Sequence, residues 1–280
     1  MGAIKAVVFD WAGTMVDFGS CAPVRALTAV FAEAGVGVQA EQVRRHMGMA
    51  KRAHVEAMLA EPLIDDAWRA ARGRGWTTAD VDDLMIALEP AMRREAEATA
   101  ALIPGALEAL ALMQARDIRV GSTTGYTRAM MEGILPQAAA QGYAPEAVIC
   151  AGETRVGRPA PLMIWKALVE LGAWPTDCAV AVDDAAVGVA AGRNAGCWSV
   201  GLAGSGNGVG LPLDAYRALS PAEREARLML AAEAHEAAGA DIVIESVADL
   251  SHALAIIEAR IAQGGKPGEA ACVRIPPIRA

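Results

Sequence analysis

The chain has 280 residues, a net charge of −8 and 54% hydrophobic residues. It is long enough for one large domain with an insert, and it is neither disordered nor fibrous. The negative charge argues against binding to nucleic-acid backbones or anionic lipid, and no apolar run approaches the roughly 20 residues that cross a bilayer. We therefore expect no nucleic-acid partner and no membrane span.

The cysteines and the start of the chain predict a compartment. The five cysteines are scattered and lack Cys-x-x-Cys spacing, which indicates reduced thiols rather than disulfides or a zinc site. An apolar run begins at Ile4 and leaves no room for a signal peptide. Both observations predict a cytoplasmic protein.

Short apolar runs alternate with longer alanine-rich helical stretches. Most runs are continuous, which is typical of parallel strands buried on both faces. The predicted strands are Ile4–Asp10, Ile118–Ser122, Ala147–Ala151, Cys178–Asp183, Trp198–Leu202 and Asp241–Glu245. The predicted helices between them include Pro104–Ala115, Arg128–Gln141, Ala160–Leu171 and Ala185–Ala195. This alternation predicts an α/β fold with a doubly wound, mainly parallel sheet that binds ligands at the carboxyl ends of its strands.

The stretch between the first two strands breaks this alternation. It contains only helical patterns, over Val24–Ala34, Ala40–His46, Lys51–Ala60, Asp65–Arg72 and Ala79–Ala98. We predict a helical cap domain of residues 21–99 inserted into a core domain of residues 1–20 and 100–263. Residues 264–280 are rich in Gly and Pro, and we predict a flexible tail there.

The first predicted strand ends at Asp10, within the sequence FDWAGTMVD. A carboxylate at this place serves as a nucleophile, as a metal ligand or as both, whereas the ordinary alternative is a cap of the next turn. The second strand runs into Ser-Thr-Thr-Gly-Tyr at 122–126, whose hydroxyl and N–H groups suit a phosphate. An ordinary helix N-cap has the same composition, so this motif is weak by itself.

Two more signals follow along the chain. Arg158 lies in a loop just before a predicted helix, and by itself it would be a solvated surface arginine. Asp183 and Asp184 end the fourth predicted strand; adjacent carboxylates repel each other, so a nearby Mg²⁺ is a natural explanation, and a capping Asp is the alternative. These signals follow one another along one sheet edge, as a carboxylate, a hydroxyl, a cation and a carboxylate pair. That order is a far more specific sign of function than any one of the signals.

That order resembles the haloacid dehalogenase-like superfamily of aspartate-nucleophile phosphotransferases. The resemblance implies that Asp10 attacks phosphorus and that Thr124 and Arg158 hold the phosphoryl oxygens. It also implies a Mg²⁺ ion that offsets the charge between the anions.

The implied ligands of Mg²⁺ are the Asp10 carboxylate, the Ala12 carbonyl and Asp184. Some members of the superfamily carry another Asp four residues after the ligand of the last motif, where this chain has Gly188. The adjacent Asp183 is another arrangement of this motif. Whether Asp183 meets the metal through water or only orients other groups stays open.

Position 12 separates this chain from most of that superfamily. Phosphatases of the group usually have an Asp two residues after the nucleophile to protonate an alcohol leaving group, whereas this chain has Ala12. With this alanine, the motifs DWAGT, MGMAK, GSTTGYT, GRP and VDDAA resemble the phosphonoacetaldehyde hydrolase family from about residue 4 to residue 262. The resemblance implies a homodimer that hydrolyses phosphonoacetaldehyde, a small phosphonate, to acetaldehyde and phosphate in 2-aminoethylphosphonate degradation.

In that family a cap lysine forms a Schiff base with the aldehyde, and the matching position is Lys51. A C–P bond breaks heterolytically only if the carbon leaves as a stabilised carbanion, and a protonated imine β to phosphorus supplies the electron sink. Lys51 must be partly unprotonated near neutral pH, so we expect burial or a nearby positive charge to lower its pKa. Without the resemblance, a lysine beside Arg52 would be a surface charge.

Four other residues complete the predicted site. His54 follows Lys51 on the same helical face, where it either shuttles protons or makes an interhelix hydrogen bond. Met47 packs around the lysine or simply fills the core. Gly125 and Tyr126 join Thr124 and Arg158 in the predicted substrate-binding set.

Two other functions remain open at this point. One is a sugar-phosphate phosphatase or mutase of the same superfamily, against which the missing acid at position 12 argues. The other is a catalytically silent metabolite-binding or regulatory protein on the same fold, against which the four intact motifs argue.

Overall fold

The computed structural model describes residues 3–276 of the chain. In this part, seven strands form one parallel sheet in the order β3-β2-β1-β4-β5-β6-β7. Their bounds are β1 Ala6–Phe9, β2 Arg119–Thr123, β3 Ala147–Ile149, β4 Ala179–Asp183, β5 Trp198–Leu202, β6 Ile242–Ile244 and β7 Val273–Arg274. The predicted α/β fold with its doubly wound sheet is confirmed.

The helices form two groups. Those between β1 and β2, which we call the cap helices, are α1 Cys21–Glu33, α2 Ala40–Arg44, α3 Lys51–Leu59, α4 Pro62–Arg72 and α5 Thr78–Ala98. The others flank the sheet and are α6 Ala106–Ala115, α7 Arg128–Met131, α8 Ile134–Ala140, α9 Leu162–Leu171, α10 Ala186–Ala195, α11 Leu213–Arg217, α12 Pro221–Ala237 and α13 Leu250–Ala262. Within residues 3–276, no helix is long and apolar enough to cross a membrane.

Strand β1 is apolar throughout because both of its faces are covered. Val7 and Phe9 point into a large core that continues into the cap helices, whereas Ala6 and Val8 pack on the opposite face with α9 and α10. Successive residues of a strand alternate between faces, so the run AVVF supplies both cores at once.

The chain reverses its winding direction at β1, which lies between β2 and β4. In doubly wound sheets the crevice at such a point, at the carboxyl ends of the strands, is where ligands bind. The register pairs Phe9 with Val182 on one side and with Ser122 on the other. Asp10, Thr123 and Asp183 therefore meet at one edge of the sheet.

The predicted helix Arg128–Gln141 is wrong as a single element, because the structure divides it into α7 and α8. Gly133 lies at the break, and an ideal Cβ there would lie 2.0 Å from Glu97 Oε1 of α5. Glycine weakens a helix and allows this close approach, and Pro136 suits the first turn of the new helix. Sequence periodicity alone cannot register such a contact.

The predicted flexible tail is wrong for Val273 and Arg274, which form β7 against β6. The Val273 and Ile275 amides donate to the carbonyls of Asp241 and Val243 at 3.0 and 2.8 Å. These bonds satisfy the backbone groups that β6 would otherwise leave unpaired at the sheet edge. The last part of the predicted tail, residues 277–280, lies outside the described residues.

Candidate active site

A small cavity lies between the cap segment 47–51 and the carboxyl ends of β1, β2 and β4. All the predicted site residues except His54 and Asp183 line it. The full lining is Asp10, Ala12, Ser20, Pro23, Met47, Gly48, Lys51, Thr124, Gly125, Tyr126, Arg158 and Asp184. The cavity volume is about 20 Å³, enough for about one or two water molecules. The cap helices and the strand ends therefore leave little free space between them at this site.

A larger cavity, of about 210 Å³, lies among the cap helices beside Val30, Trp68 and Leu84. Its most buried acidic group, Asp80, is already bonded by the Arg74 guanidinium and by Thr77. This arrangement caps and braces α5, so the smaller cavity with its converging charges is the candidate active site.

Arg158 is a buried residue, not a surface arginine, and it faces Asp10. Its Nη2 donates to Asp10 Oδ1 at 2.7 Å and to Thr123 Oγ1 at 2.8 Å. Burial raises the pKa of the Asp10 carboxyl, and the charges of Arg158 and Lys51 oppose that rise. The guanidinium therefore orients Asp10 and favours its ionised form.

Three buried carboxylates crowd this edge of the sheet. Asp10, Asp183 and Asp184 each offer an oxygen within 4.8 Å of the others. Burial, followed by the charge of Asp10, raises the pKa of Asp184 to about 7. Burial also raises the pKa of Asp183 well above its usual value, although Arg158 opposes this rise. A concentration of hard oxygen donors and negative charge fits a divalent cation.

The two adjacent aspartates have different surroundings. Asp183 Oδ1 accepts from the Ala185 amide at 3.0 Å, and its Oδ2 lies 3.3 Å from Arg158 Nη2. Asp184 instead lines the cavity, and its two hydrogen bonds both end on Oδ2. Asp184 thus keeps Oδ1 for another partner, whereas both oxygens of Asp183 are engaged.

Gly188 is a consequence of where Asp183 lies. An ideal Cβ at position 188 would be 1.9 Å from Asp183 Oδ2. The Asp183 carboxylate therefore fills the space that a side chain at position 188 would occupy. Acidic side chains at both 183 and 188 would overlap. This overlap explains why the chain has glycine at position 188 when Asp183 is present.

The loop after β2 supplies neutral hydrogen-bonding groups to the cavity. Thr124 Oγ1 accepts from the Tyr126 amide at 3.2 Å, so the Thr124 hydroxyl proton remains available to an acceptor in the cavity. Gly125 brings the backbone close to the cap, since an ideal Cβ there would lie 2.7 Å from the Met49 carbonyl oxygen. The cap and this loop therefore meet backbone to backbone.

Lys51 is the first residue of α3 and is only 2% exposed. Its Nζ lies 5.1 Å from the centre of the Tyr126 ring. Burial lowers the pKa of Lys51 to about 8, although the charge of Asp10 opposes the change. The positive end of the α3 dipole also disfavours an ammonium at this position. At neutral pH a useful fraction of the side chain is therefore a free amine, which is the nucleophilic form.

His54 lies behind Lys51 and is fully buried. Its Nε2 is 2.8 Å from the Val43 carbonyl oxygen of α2, so Nε2 carries the proton and donates an interhelix hydrogen bond. Burial, aided by the charge of Lys51, lowers the pKa of His54 well below its usual value. The ring is thus neutral, and Nδ1, which has no partner among the described residues, keeps a free lone pair.

Two residues that contact the carboxylate cluster were not predicted from the sequence. Ser20 Oγ lies 2.9 Å from both the Ala12 carbonyl oxygen and Asp184 Oδ2. The Asn207 amide donates to the same Asp184 oxygen at 2.7 Å. The glycine-rich GSGNG that follows β5 was the signal for Asn207, because it ends another strand at the same edge of the sheet.

Comparisons with known proteins found several relatives of this chain. Residues 4–196 match the family model of haloacid dehalogenase-like hydrolases. A phosphonoacetaldehyde hydrolase of Paraburkholderia phytofirmans is 44% identical over 267 residues, covering 95% of this chain and 100% of that protein. One of Klebsiella pneumoniae is 40% identical over 269 residues, with 95% and 100% covered. The crystal structure of a phosphonoacetaldehyde hydrolase-like protein from Oleispira antarctica superposes with a TM-score of 0.94 at 37% identity, covering 95% of this chain and 96% of that one.

Proposed function

Because the chain belongs to the phosphonoacetaldehyde hydrolase family of haloacid dehalogenase-like hydrolases, we propose that it converts phosphonoacetaldehyde and water to acetaldehyde and phosphate. The observation that carries this proposal is the position of Lys51. A buried amine with a pKa of about 8 shares one closed cavity with the carboxylate of Asp10. An imine and a phosphoryl acceptor are the two groups that C–P cleavage needs.

The first step belongs to the cap. The Lys51 Nζ lone pair attacks the aldehyde carbon, and loss of water gives an imine that becomes protonated. The neutral His54 is placed behind this lysine, and we assign it the transfer of protons to and from the imine nitrogen and the enamine. Met47 lines the cavity beside Lys51 and helps to keep the amine dry.

The second step belongs to the strand ends. Asp10 attacks phosphorus, and the electron pair of the C–P bond moves into the protonated imine to give an enamine. Thr124 and Arg158 hold the phosphoryl oxygens, with the Gly125 backbone and the Tyr126 ring completing the cavity wall. Since the carbon leaves as an enamine, no acid is needed at position 12, where Ala12 stands.

Two hydrolyses finish the cycle. Water attacks the aspartyl phosphate and releases phosphate from Asp10. The enamine takes up a proton at carbon, and water then cleaves the resulting imine to release acetaldehyde from Lys51. Each bond formed to the protein is thereby broken, and the enzyme returns to its starting state.

The metal fits the three buried carboxylates described above. We propose Mg²⁺ held by the Asp10 carboxylate, the Ala12 carbonyl and Asp184, with Asp183 positioning Arg158 and not touching the ion directly. When bound, the ion supplies positive charge that offsets the repulsion between the phosphoryl group and Asp10.

Several broader expectations belong to the same proposal. Residues 1–20 and 100–263 would act as the core domain and residues 21–99 as the cap domain, which opens to admit substrate. We also propose a homodimer that works in the cytoplasm in 2-aminoethylphosphonate degradation. The five cysteines are all free, which suits a reducing compartment.

The test is an assay of phosphate and acetaldehyde release from phosphonoacetaldehyde, with Arg52→Ala as the control for Lys51→Arg. Arg52 is the next residue of α3, and its guanidinium faces Asp82 at the surface. We expect equal amounts of both products from the wild type and from Arg52→Ala, and none from Lys51→Arg. Release of phosphate from sugar phosphates without C–P cleavage would favour a phosphatase, and complete inactivity with Mg²⁺ would favour a binding protein.

A further inference from the structure

One side chain of the cap helices, which is not part of the cavity lining, hydrogen-bonds to the core. Arg44, the last residue of α2, is half-buried against the loop that follows β5. Its Nη1 donates to the Gly19 carbonyl at 2.9 Å and to Asn207 Oδ1 at 3.1 Å, and its Nη2 donates to the Gly210 carbonyl at 2.9 Å. The Asn207 side chain returns a bond, from Nδ2 to the Arg44 carbonyl, at 3.1 Å.

The same asparagine also holds the carboxylate cluster. Its backbone amide donates to Asp184 Oδ2 at 2.7 Å, so a single residue links Arg44 of the cap to Asp184 of the core. Residues 19 and 20, which also accept from Arg44, lie at the junction between β1 and the cap helices. Ser20 Oγ is the other group bonded to Asp184 Oδ2. Both partners of that oxygen thus lie in segments that Arg44 ties to the cap.

The loop after β5 is shaped around this arginine. Gly210 has φ +67°, and an ideal Cβ there would lie 2.6 Å from Arg44 Nε. Any other residue at position 210 would both strain the backbone and displace the guanidinium. A glycine that fits the cap side chain so closely indicates that this contact belongs to the closed state and is not incidental.

We propose that Arg44 and Asn207 are positioning residues that couple closure of the cap to the orientation of Asp184. In the closed state Arg44 fixes Asn207, and the Asn207 amide fixes Asp184 so that its second oxygen faces the cavity. The cavity holds about one or two water molecules, so phosphonoacetaldehyde enters only when the cap moves away. Opening then breaks the Arg44 bonds and loosens Asp184, and closing restores both together.

This inference rests on the proposed role of Asp184 as a metal ligand, and direct Mn²⁺ binding tests the two separately. Mn²⁺ serves as a paramagnetic probe, and free Mn²⁺ is measured by electron paramagnetic resonance in the absence of substrate. We compare the wild type, Asp184→Ala, Arg44→Ala, Asn207→Ala and the Arg44→Ala/Asn207→Ala double variant. The control is Arg45→Ala, since the neighbouring Arg45 guanidinium is exposed and pairs with Glu61 of the cap helices, away from the carboxylate cluster.

We expect Arg44→Ala and Asn207→Ala each to weaken Mn²⁺ binding by roughly 3- to 30-fold. The double variant should lose no more Mn²⁺ affinity than the single variant with the larger loss, because both substitutions break the same link. In turnover assays, Asn207→Ala should regain activity at a much lower metal concentration than Asp184→Ala. Arg45→Ala should bind Mn²⁺ as the wild type does.

The possible failures are distinct. If Asp184→Ala binds Mn²⁺ normally, the proposed metal site is wrong. If Asp184→Ala loses binding while Arg44→Ala and Asn207→Ala keep the wild-type Kd, the coupling alone is overturned. If circular dichroism shows that either alanine variant folds poorly, Arg44→Lys and Asn207→Ser are used instead. Lysine keeps the positive charge but lacks the forked donors of arginine. Wild-type Mn²⁺ binding by both of these variants would also overturn the coupling.

Discussion

The two ends of the cavity are built by opposite means. The strand ends gather charge: oxygens of three carboxylates lie within 4.8 Å of one another, and the Arg158 guanidinium contacts two of these groups, Asp10 and Asp183. The cap end instead isolates one amine, Lys51, beside the Tyr126 ring and Met47. Charge is concentrated where phosphorus would be attacked and is suppressed where an aldehyde would be attacked.

Burial has a different chemical result at each end. Among the strand ends, burial raises the pKa of the carboxyls, so these groups need a cation to stay ionised. In the cap, burial lowers the pKa of Lys51 to about 8, so the amine needs no partner to become a nucleophile. The same desolvation therefore creates a metal site at one end and a reactive amine at the other.

The largest expected effect comes from removing the charge at the strand-end nucleophile. Asp10→Asn keeps the size of the side chain, but its amide is a poor nucleophile, so turnover should fall by about 10³-fold or more. Phosphate release measures this loss, and circular dichroism checks the fold. Retention of more than about a tenth of the wild-type rate would show that Asp10 is not the attacking group.

The next effect separates the two adjacent aspartates. Asp184→Ala should raise the Mg²⁺ concentration for half-maximal activity by roughly 100-fold or more, and Asp183→Ala by only about tenfold, because the Asp183 oxygens are engaged by Arg158 and the Ala185 amide. Mg²⁺ titrations after removal of metal by a chelator measure both shifts. The reverse ranking would mean that Asp183 is the direct ligand.

The lowered pKa of Lys51 predicts a pH dependence for imine formation. The pKa of Lys51 is lowered to about 8, and only the free amine attacks an aldehyde. The rate of imine formation should therefore rise about tenfold per pH unit below pH 8 and level off above it. A rate that kept rising through pH 10 would show that the lysine has its ordinary pKa.

The smallest effect tests the histidine behind the amine. In His54→Gln, a side-chain N–H can still donate to the Val43 carbonyl, but no basic nitrogen remains. If His54 transfers protons, kcat should fall by roughly tenfold to 100-fold in His54→Gln, with little change in the melting temperature. Wild-type kcat in His54→Gln combined with a destabilised His54→Ala would assign to His54 only the interhelix hydrogen bond.

Sequence patterns were sufficient for the first six strands because most of these are apolar on both faces. Runs such as AVVF, which Asp10 follows, and AVAVD, which ends at Asp183, carry this signal by themselves. The patterns failed where a tertiary contact overrides local preference. Gly133 lies between α7 and α8 against Glu97, and β6 pairs with a segment that its composition alone predicts to be loose.

The site was partly predictable for the same reason. Asp10 and the aspartate pair end apolar strands, which places them at one sheet edge without further information. Burial of Arg158 and Lys51 could not be read from composition, since both residue types usually lie at the surface. Asn207 acts through its backbone amide, which the sequence does not distinguish from any other.

The central claim is that Lys51 forms an imine, and trapping that imine tests it most directly. The chain has four lysines, and Lys51 is buried whereas Lys5, Lys166 and Lys266 reach solvent. Incubation with acetaldehyde and borohydride should inactivate the enzyme, and peptide mapping should place the added mass on Lys51. In Lys51→Arg the guanidinium stays protonated and cannot form an imine, so this variant should take no label and cleave no C–P bond while still binding Mn²⁺. Label on another lysine would contradict the placement, and full activity of Lys51→Arg would contradict the mechanism.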